Sequence, residues 1–455
     1  MSSYRVEVSW VIGAAAFVDY LRRRAAEHGP SDLSSAALRP IFLDVLRRPF
    51  DTAWVRLVAA LAAALALAGA AAAQTRSDPV LQKRLARALV VPHVRPSQTG
   101  ALAVDLGTGQ PVFAQNAAVP FVPASNEKLP VTLAALAVLG PAFRFETDVL
   151  GEGSQEGAVW RGSLVLQGHG DPTLSGADLE SLALQLRGLG VRRVTGGVLG
   201  DESWFDSRRT AAGWKASFYI SESPPLSALV VDRGRFGRYT SADPALAAAR
   251  LFRAALVRAG VGVAGAAAHG TADDAAQPLA AVDSPTLGAI VRWMDRVSDN
   301  FTAEMLVKEL GAVQSGQGTT AAGVGVVTGL LAAAGVPLAG VRLVDGSGLS
   351  LLDRLTPNAL VALLTTMWTD DEVRLELLAS LPVAGRTGTL HNRMRSGAAT
   401  GVVRAKTGTT SNASALSGFV ADRYVFSVLQ NGFPVSLTWA RIAQDRFAAV
   451  LASSQ

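Results

Sequence analysis

Ser125 and Lys128 stand three residues apart in the stretch PASNEKLP, residues 123–130. At a helix start, positions i and i+3 share a face. A serine hydroxyl attacks poorly until a base removes its proton. A lysine serves as that base once burial and a second cation lower its pKa. Arginine cannot, because it stays protonated in proteins. The choice is informative here: Lys plus Arg is 42, yet only Lys83, Lys128, Lys215, Lys308 and Lys406 are lysines. A serine at a helix N-terminus also sets a developing oxyanion beside backbone N–H groups. Taken alone, S-x-x-K reads first as a capping serine beside a solvated lysine.

Two further stretches carry candidate chemistry. Ser298-Asp299-Asn300 interrupts a helical pattern, where the same residues also make good N-cap chemistry. Lys406-Thr407-Gly408-Thr409 lies early in a strand run. Its glycine would let a peptide backbone approach closely, and Lys406 with the Thr407 and Thr409 hydroxyls could bind a carboxylate. Alone, it is an ordinary edge strand. The three together, in this order and on a helix, a loop and a strand, are hard to obtain by chance.

The elements that must position these groups follow from pattern. Apolar alternation on both sides of Gly107-Thr108-Gly109 predicts a hairpin. The segment from Ser125 turns helical and stops at Gly140-Pro141. Pro130 would kink that helix if it fell in the second turn, and would be tolerated nearer the start. Helical periods run from about residue 284 to 382, broken near Ser298. GVVRAKTGTT, SALSGFVAD and RYVFSVLQNGF read as consecutive antiparallel strands, and LTWARIAQDRFAAVLAS as a closing helix. Strands at both ends with helices between predict an α/β domain whose sheet unites the termini. That domain would comprise residues 76–143 and 283–455. Residues 144–282, glycine-rich with short strand-like pieces and one helical run, would be inserted into it.

Composition bounds the rest. A chain of 455 residues with 49% hydrophobic content supports two or three domains. Net charge is +5, and no Lys/Arg cluster alternates with aromatics, which argues against nucleic-acid binding. With no cysteine there is no disulfide, thiol nucleophile or zinc ribbon, and five scattered histidines without HExxH argue against a metal site. No cofactor is expected. Residues 57–73 are uncharged and end in small residues after Arg56, which fits an export signal or a membrane segment. Residues 1–56 form an N-terminal extension. Either translation starts near Val55, or the extension is a cytoplasmic tail ahead of an uncleaved anchor. Both place the bulk of the chain in the periplasmic or extracytoplasmic cell-wall space, with membrane attachment through residues 57–73 left open.

The motif triplet resembles that of the penicillin-recognising serine acyl-transferases. The wider sequence is similar to one branch of them, the class C low-molecular-mass penicillin-binding proteins, which are D-alanyl-D-alanine carboxypeptidases and endopeptidases. GHGDPTLS (168–175), SDNFTAEML (298–306), DGSGLS (345–350), LPVAGRTGTL (381–390) and VRAKTGTT (403–410) carry the likeness. It covers roughly residues 80–450. Spacing separates the chain from class A β-lactamases, whose S-D-N follows the nucleophile closely. Here Ser298 lies 173 residues after Ser125, and no E-x-x-L-N follows S-D-N.

The resemblance implies a penicillin-binding, serine β-lactamase-like α/β fold. It consists of an antiparallel sheet flanked by helices, an all-helical lobe and a β-rich insertion. It implies covalent inhibition by β-lactams and an acyl-enzyme on peptidoglycan stem peptides. Ser125 would be the nucleophile, Lys128 its base, Ser298 a proton relay helped by Lys406, and Asn300 an orienting group. Thr407, Gly408 and Thr409 would form the substrate strand, and Ser125 and Thr409 N–H groups the oxyanion hole. In the insertion, Trp204, Asp206 and Tyr219 are candidates for a pocket that contacts the amine-bearing side chain of the stem peptide, or for aromatic packing. DGSGLS and His391 read as turns and packing. The alternatives are a non-catalytic peptidoglycan-binding protein and a β-lactamase. Fluorescent penicillin separates all three by absent, transient or persistent label.

Overall fold

A computed structural model describes residues 78–454. The readings for residues 1–56 and 57–73 lie outside the described residues. Residues Val80–Gln455 form one compact unit. No helix among the described residues is long and apolar enough to cross a membrane.

Helix α1 (Pro79–Leu89) leads into a hairpin of β1 (Thr99–Asp105) and β2 (Pro111–Gln115). Asp105 closes its turn by accepting from the Gly107 and Thr108 N–H groups. A 3₁₀ turn, Ala124–Glu127, then runs into α2 (Lys128–Val138). Pro130 is the third residue of α2. The first N–H groups of a helix have no intrahelical partner, so its missing donor costs nothing there.

A second sheet follows. Its strands are β3 (Glu146–Glu156), β4 (Val159–Gly168), β5 (Arg193–Val194) and β6 (Val198–Asp201). After a short hairpin, β7 (Arg235–Phe236) with β8 (Tyr239–Thr240), it is completed by β9 (Gly262–Val263), β10 (Ala267–His269) and β11 (Gln277–Asp283). Helices α3 (Gly176–Gly188) and α4 (Pro244–Arg258) share its core through Leu179, Leu182, Phe252 and Leu256. The insertion is β-rich, with a mixed parallel and antiparallel sheet, and carries two helices where the sequence suggests one helical run. Helix α4 escapes sequence reading because alanines make up most of its buried face. Alanine favours helix but gives a faint apolar period.

The all-helical lobe contains α5 (Leu287–Val297), α6 (Asn300–Ser315) and α7 (Thr320–Ala333). It continues with α8 (Pro357–Thr369) and α9 (Asp371–Ser380). Residues 334–356, expected within the helical run, are instead a loop region that holds DGSGLS. The chain closes with β12 (Val403–Thr409), β13 (Ala413–Val420), β14 (Tyr424–Asn431) and α10 (Leu437–Ala452).

The termini share one sheet, ordered β12-β13-β14-β1-β2. Register runs from Thr99 opposite Gln430 to Asp105 opposite Tyr424. Alternation sorts the two faces, as a period of two requires. Tyr424, Phe426 and Val428 join Leu85 and Phe447 in one core, whereas Val425, Leu429 and Phe419 join Leu129, Leu360 and Met367 in the other. Every residue of β13 is buried, because helices cover both faces. β12 is the edge strand, which leaves the Lys406-Thr409 segment open to a ligand along its free side.

Candidate active site

Ser125 lies on the 3₁₀ turn ahead of α2, after Ala124, whose φ of 48° is left-handed. A β-bearing residue held there is strained, and such strain is sustained only by surrounding contacts. Those contacts are visible. Asn126 Nδ2 donates to the Lys406 carbonyl at 3.0 Å, and its Oδ1 accepts from Ser417 at 2.6 Å. The nucleophile turn is thus tied to β12 and β13. A Cβ added at Gly408 would meet the Pro123 carbonyl at 2.8 Å and the Ser125 nitrogen at 3.1 Å. Gly408 is small because the protein's own turn packs on it, so the peptide backbone that approaches closely here is that of Pro123 and Ser125.

Lys128 is fully buried at the start of α2. Its Nζ donates to Ser125 Oγ at 3.1 Å, Asn300 Oδ1 at 2.8 Å and the Ser347 carbonyl at 2.7 Å. Burial lowers its pKa to about 8, although Asp345, Asp299, Glu304 and Asp295 pull it upward. Lys406 is equally buried and donates to Ser298 Oγ at 2.7 Å. Burial, and then the neighbouring Lys128 charge, lower its pKa to about 7 against the attraction of Asp295. Both amines therefore exchange protons near neutral pH, which an ordinary lysine does not.

Ser298 sits in left-handed conformation (φ 62°) at the joint of α5 and α6, and its hydroxyl receives the Lys406 amine. Asp299 is the N-cap of α6, accepting from the Thr302 N–H at 2.7 Å. It also takes a two-point ion pair from Arg233. Asn300 divides its amide: Oδ1 to Lys128, and Nδ2 to the Glu222 carbonyl at 3.0 Å. The three motifs meet at a cavity of about 550 Å³, whose lining includes Ser125, Ser298, Asn300, Thr407 and Thr409. Thr407 Oγ1 donates to Thr389 at 2.7 Å, and Arg441 of α10 reaches Thr409 Oγ1 at 3.4 Å.

Trp204, Asp206 and Tyr219 are not among the residues that line this cavity. Trp204 donates to Glu309 Oε2 at 2.8 Å, and Asp206 is ion-paired with Lys308, whose side chain is fully buried. A buried ammonium needs a charged partner, so Asp206 is consumed in stapling the second sheet to α6. Tyr219 ends a 3₁₀ turn and bridges to Ser223. Other side chains of residues 213–236 reach the loops around the site. Trp214 Nε1 donates to Asp345 at 2.8 Å, Lys215 reaches Ser411 at 3.3 Å, and Glu222 lines the cavity.

Sequence reading missed Glu222, Arg393, Arg441 and Thr389, all lining the cavity: the first three stand in stretches without a spacing signature, and Thr389, within LPVAGRTGTL, was given no role of its own. It also treated DGSGLS as a turn alone. The turn is real, with Asp345 accepting from the Gly348 and Ser350 N–H groups, but its Ser347 carbonyl holds Lys128. His391, with Nδ1 on the Arg386 carbonyl, keeps a structural place. Among the described residues no group of three or more His, Cys, Asp or Glu could hold a metal.

A serine under a buried lysine, a second serine–lysine pair and an open edge strand define a serine acyl-transfer enzyme of the penicillin-binding fold. The architecture matches the crystal structure of penicillin-binding protein 4 from Haemophilus influenzae, with a TM-score of 0.72 at 21% identity over 82% of this chain and 98% of that one. Residues 81–241 and 237–453 match the D-Ala-D-Ala carboxypeptidase 3 (S13) family, and the chain belongs to it. It is 34% identical to a D-alanyl-D-alanine carboxypeptidase of Actinomadura sp. strain R39, over 82% of this chain and 84% of that protein. It is also 34% identical to carboxypeptidase DacB of Mycolicibacterium smegmatis, over 77% and 79%. The chain is thus a class C low-molecular-mass penicillin-binding protein with serine-type D-Ala-D-Ala carboxypeptidase activity.

Proposed function

We propose that this chain cleaves the terminal D-Ala-D-Ala bond of peptidoglycan stem peptides in the extracytoplasmic space, and equivalent peptide bonds in cross-links. The observation that carries the mechanism is the Lys128 amine, 3.1 Å from Ser125 Oγ with carbonyl oxygens of Asn300 and Ser347 on its other sides.

Neutral Lys128 takes the Ser125 proton as Oγ attacks the penultimate D-Ala carbonyl. The tetrahedral oxyanion rests on the Ser125 and Thr409 N–H groups. The C–N bond breaks as Ser298 passes its proton to the leaving amine; the proton that Lys128 took replaces it by way of Lys406, 2.7 Å from Ser298 Oγ, and leaves Lys128 neutral again. Water then attacks the acyl carbonyl and gives its proton to Lys128, which returns it to Ser125 Oγ as the ester C–O bond breaks. Thr407, Thr409 and Lys406 hold the leaving residue's carboxylate, with Arg441 adding positive charge at that end. Glu222 is the acid in the cavity lining, and takes the role first assigned to Asp206: meeting an ammonium group on the stem peptide. The catalytic domain comprises residues 76–143 and 283–455, and residues 144–282 are its accessory domain. The separate sheets support that division.

Ser125→Ala tests the assignment. Fluorescent penicillin should label the wild-type chain and leave the variant unlabelled; a labelled variant would show another nucleophile at work. Purified muropeptides with mass spectrometry of the products separate carboxypeptidase from endopeptidase action.

A further inference from the structure

We infer that Glu304 is a positioning residue for acylation: it fixes the Ser347 carbonyl that, together with Asn300, aims the Lys128 lone pair at Ser125. This rests on Lys128 being the base.

A neutral amine has two N–H donors and one lone pair. Three oxygens surround Lys128 Nζ. Asn300 Oδ1 and the Ser347 carbonyl only accept, whereas the Ser125 hydroxyl can donate. The two N–H groups therefore go to the carbonyls, and the lone pair faces Ser125. The base is aimed by its acceptors, so whatever fixes them controls the proton transfer.

Asn300 is held by its own helix. The Ser347 carbonyl belongs to a loop and needs an external anchor. Glu304 provides it: Oε1 accepts from the Gly346 N–H at 3.1 Å and the Ser347 N–H at 2.8 Å. Glu304 lies four residues after Asn300, so one face of α6 carries both supports. The loop has little room to shift. A Cβ at Gly346 would meet the Ala303 carbonyl at 2.7 Å, and one at Gly348 (φ 79°) would meet the Ala124 carbonyl at 2.0 Å. It is wedged between α6 and the nucleophile turn. Glu304 is fully buried, and burial raises its pKa to about 8. What anchors the loop is the Oε1 acceptor, which a glutamine keeps.

The test measures penicillin binding and acylation separately in the full chain, per folded molecule. Glu304→Gln should acylate within roughly threefold of wild type. Glu304→Leu, of similar size but without an acceptor, should lower the acylation rate constant roughly 10- to 100-fold with noncovalent affinity unchanged. If that variant does not fold, Glu304→Asp replaces it, withdrawing the acceptor by ~1.5 Å with the same expectation. Lys128→Met is run alongside and should not acylate. Wild-type rates in the Leu or Asp variant, or a Gln variant as slow as they are, overturn the role of Glu304. Acylation by Lys128→Met would instead overturn the reading of the base.

Discussion

Asn300→Asp places a carboxylate where a neutral oxygen now lies 2.8 Å from the Lys128 amine, with almost no change of shape. Lys128 has a pKa of about 8, so roughly one molecule in ten carries the neutral base at pH 7; at the ordinary value of 10.5 it would be about one in 3000. Burial creates this advantage, and Asp345, Asp299, Glu304 and Asp295 already oppose it. One more carboxylate in direct contact raises an amine by about 1–3 units. The neutral fraction at pH 7 then falls roughly 10- to 1000-fold, and acylation falls with it. Because the neutral form is the active one, the rate should climb with pH through the new pKa and recover in part at alkaline pH. The assay is the second-order rate of labelling by fluorescent penicillin across pH 6–10. Asn300→Ala is the control: it loses both contacts, to Lys128 and to the Glu222 carbonyl, without adding charge, and should slow labelling with no alkaline shift. A wild-type rate that is flat through pH 8, or an Asp variant slowed equally at every pH, would refute the reasoning.

Gly408→Ala should cut acylation roughly 10- to 100-fold and lower the thermal midpoint, since the new methyl meets backbone and pushes the Ser125 turn off β12; an unimpaired variant would show that the turn has slack. Glu309 is buried and raised to about 7, held only by the Trp204 indole. Its unfolded form ionises above about pH 4.5 while the folded form stays protonated to about 7, so it withdraws stability as pH rises through that window. Glu309→Gln should therefore be stabilising at pH 8, on the order of 3 kcal/mol at most, and near neutral at pH 4, as measured by denaturant titration. Glu222→Gln should raise KM for stem peptides with a free side-chain amine and spare acetylated ones. Arg441→Gln should raise KM for substrates ending in a free carboxylate; equal kinetics in either case would place recognition elsewhere.

Sequence alone determined the reactive groups and the order of their elements. Lys128 and Lys406 stood out as lysines in an arginine-rich chain, and a helix start, a helix break and a strand carry them as their local patterns require. The sheet that joins residues 99–115 to 403–431 was legible too, because apolar alternation flanks Gly107-Thr108-Gly109 and three strand-like runs follow one another before the last helix. What surrounds those groups was decided by tertiary structure. Nothing near Ser347 in sequence says that its carbonyl will meet Lys128, nor that Glu304 will hold it, since a backbone oxygen has no side-chain signature. Asp206 and Trp204 have the right chemistry for a ligand pocket, yet a buried Lys308 and a buried Glu309 claim them. Glu222, in a stretch without a motif, took the place in the cavity. Local propensity and spacing are properties of neighbours along the chain. Burial, and the pKa shifts that make two lysines useful near neutral pH, arise only when distant segments exclude water together.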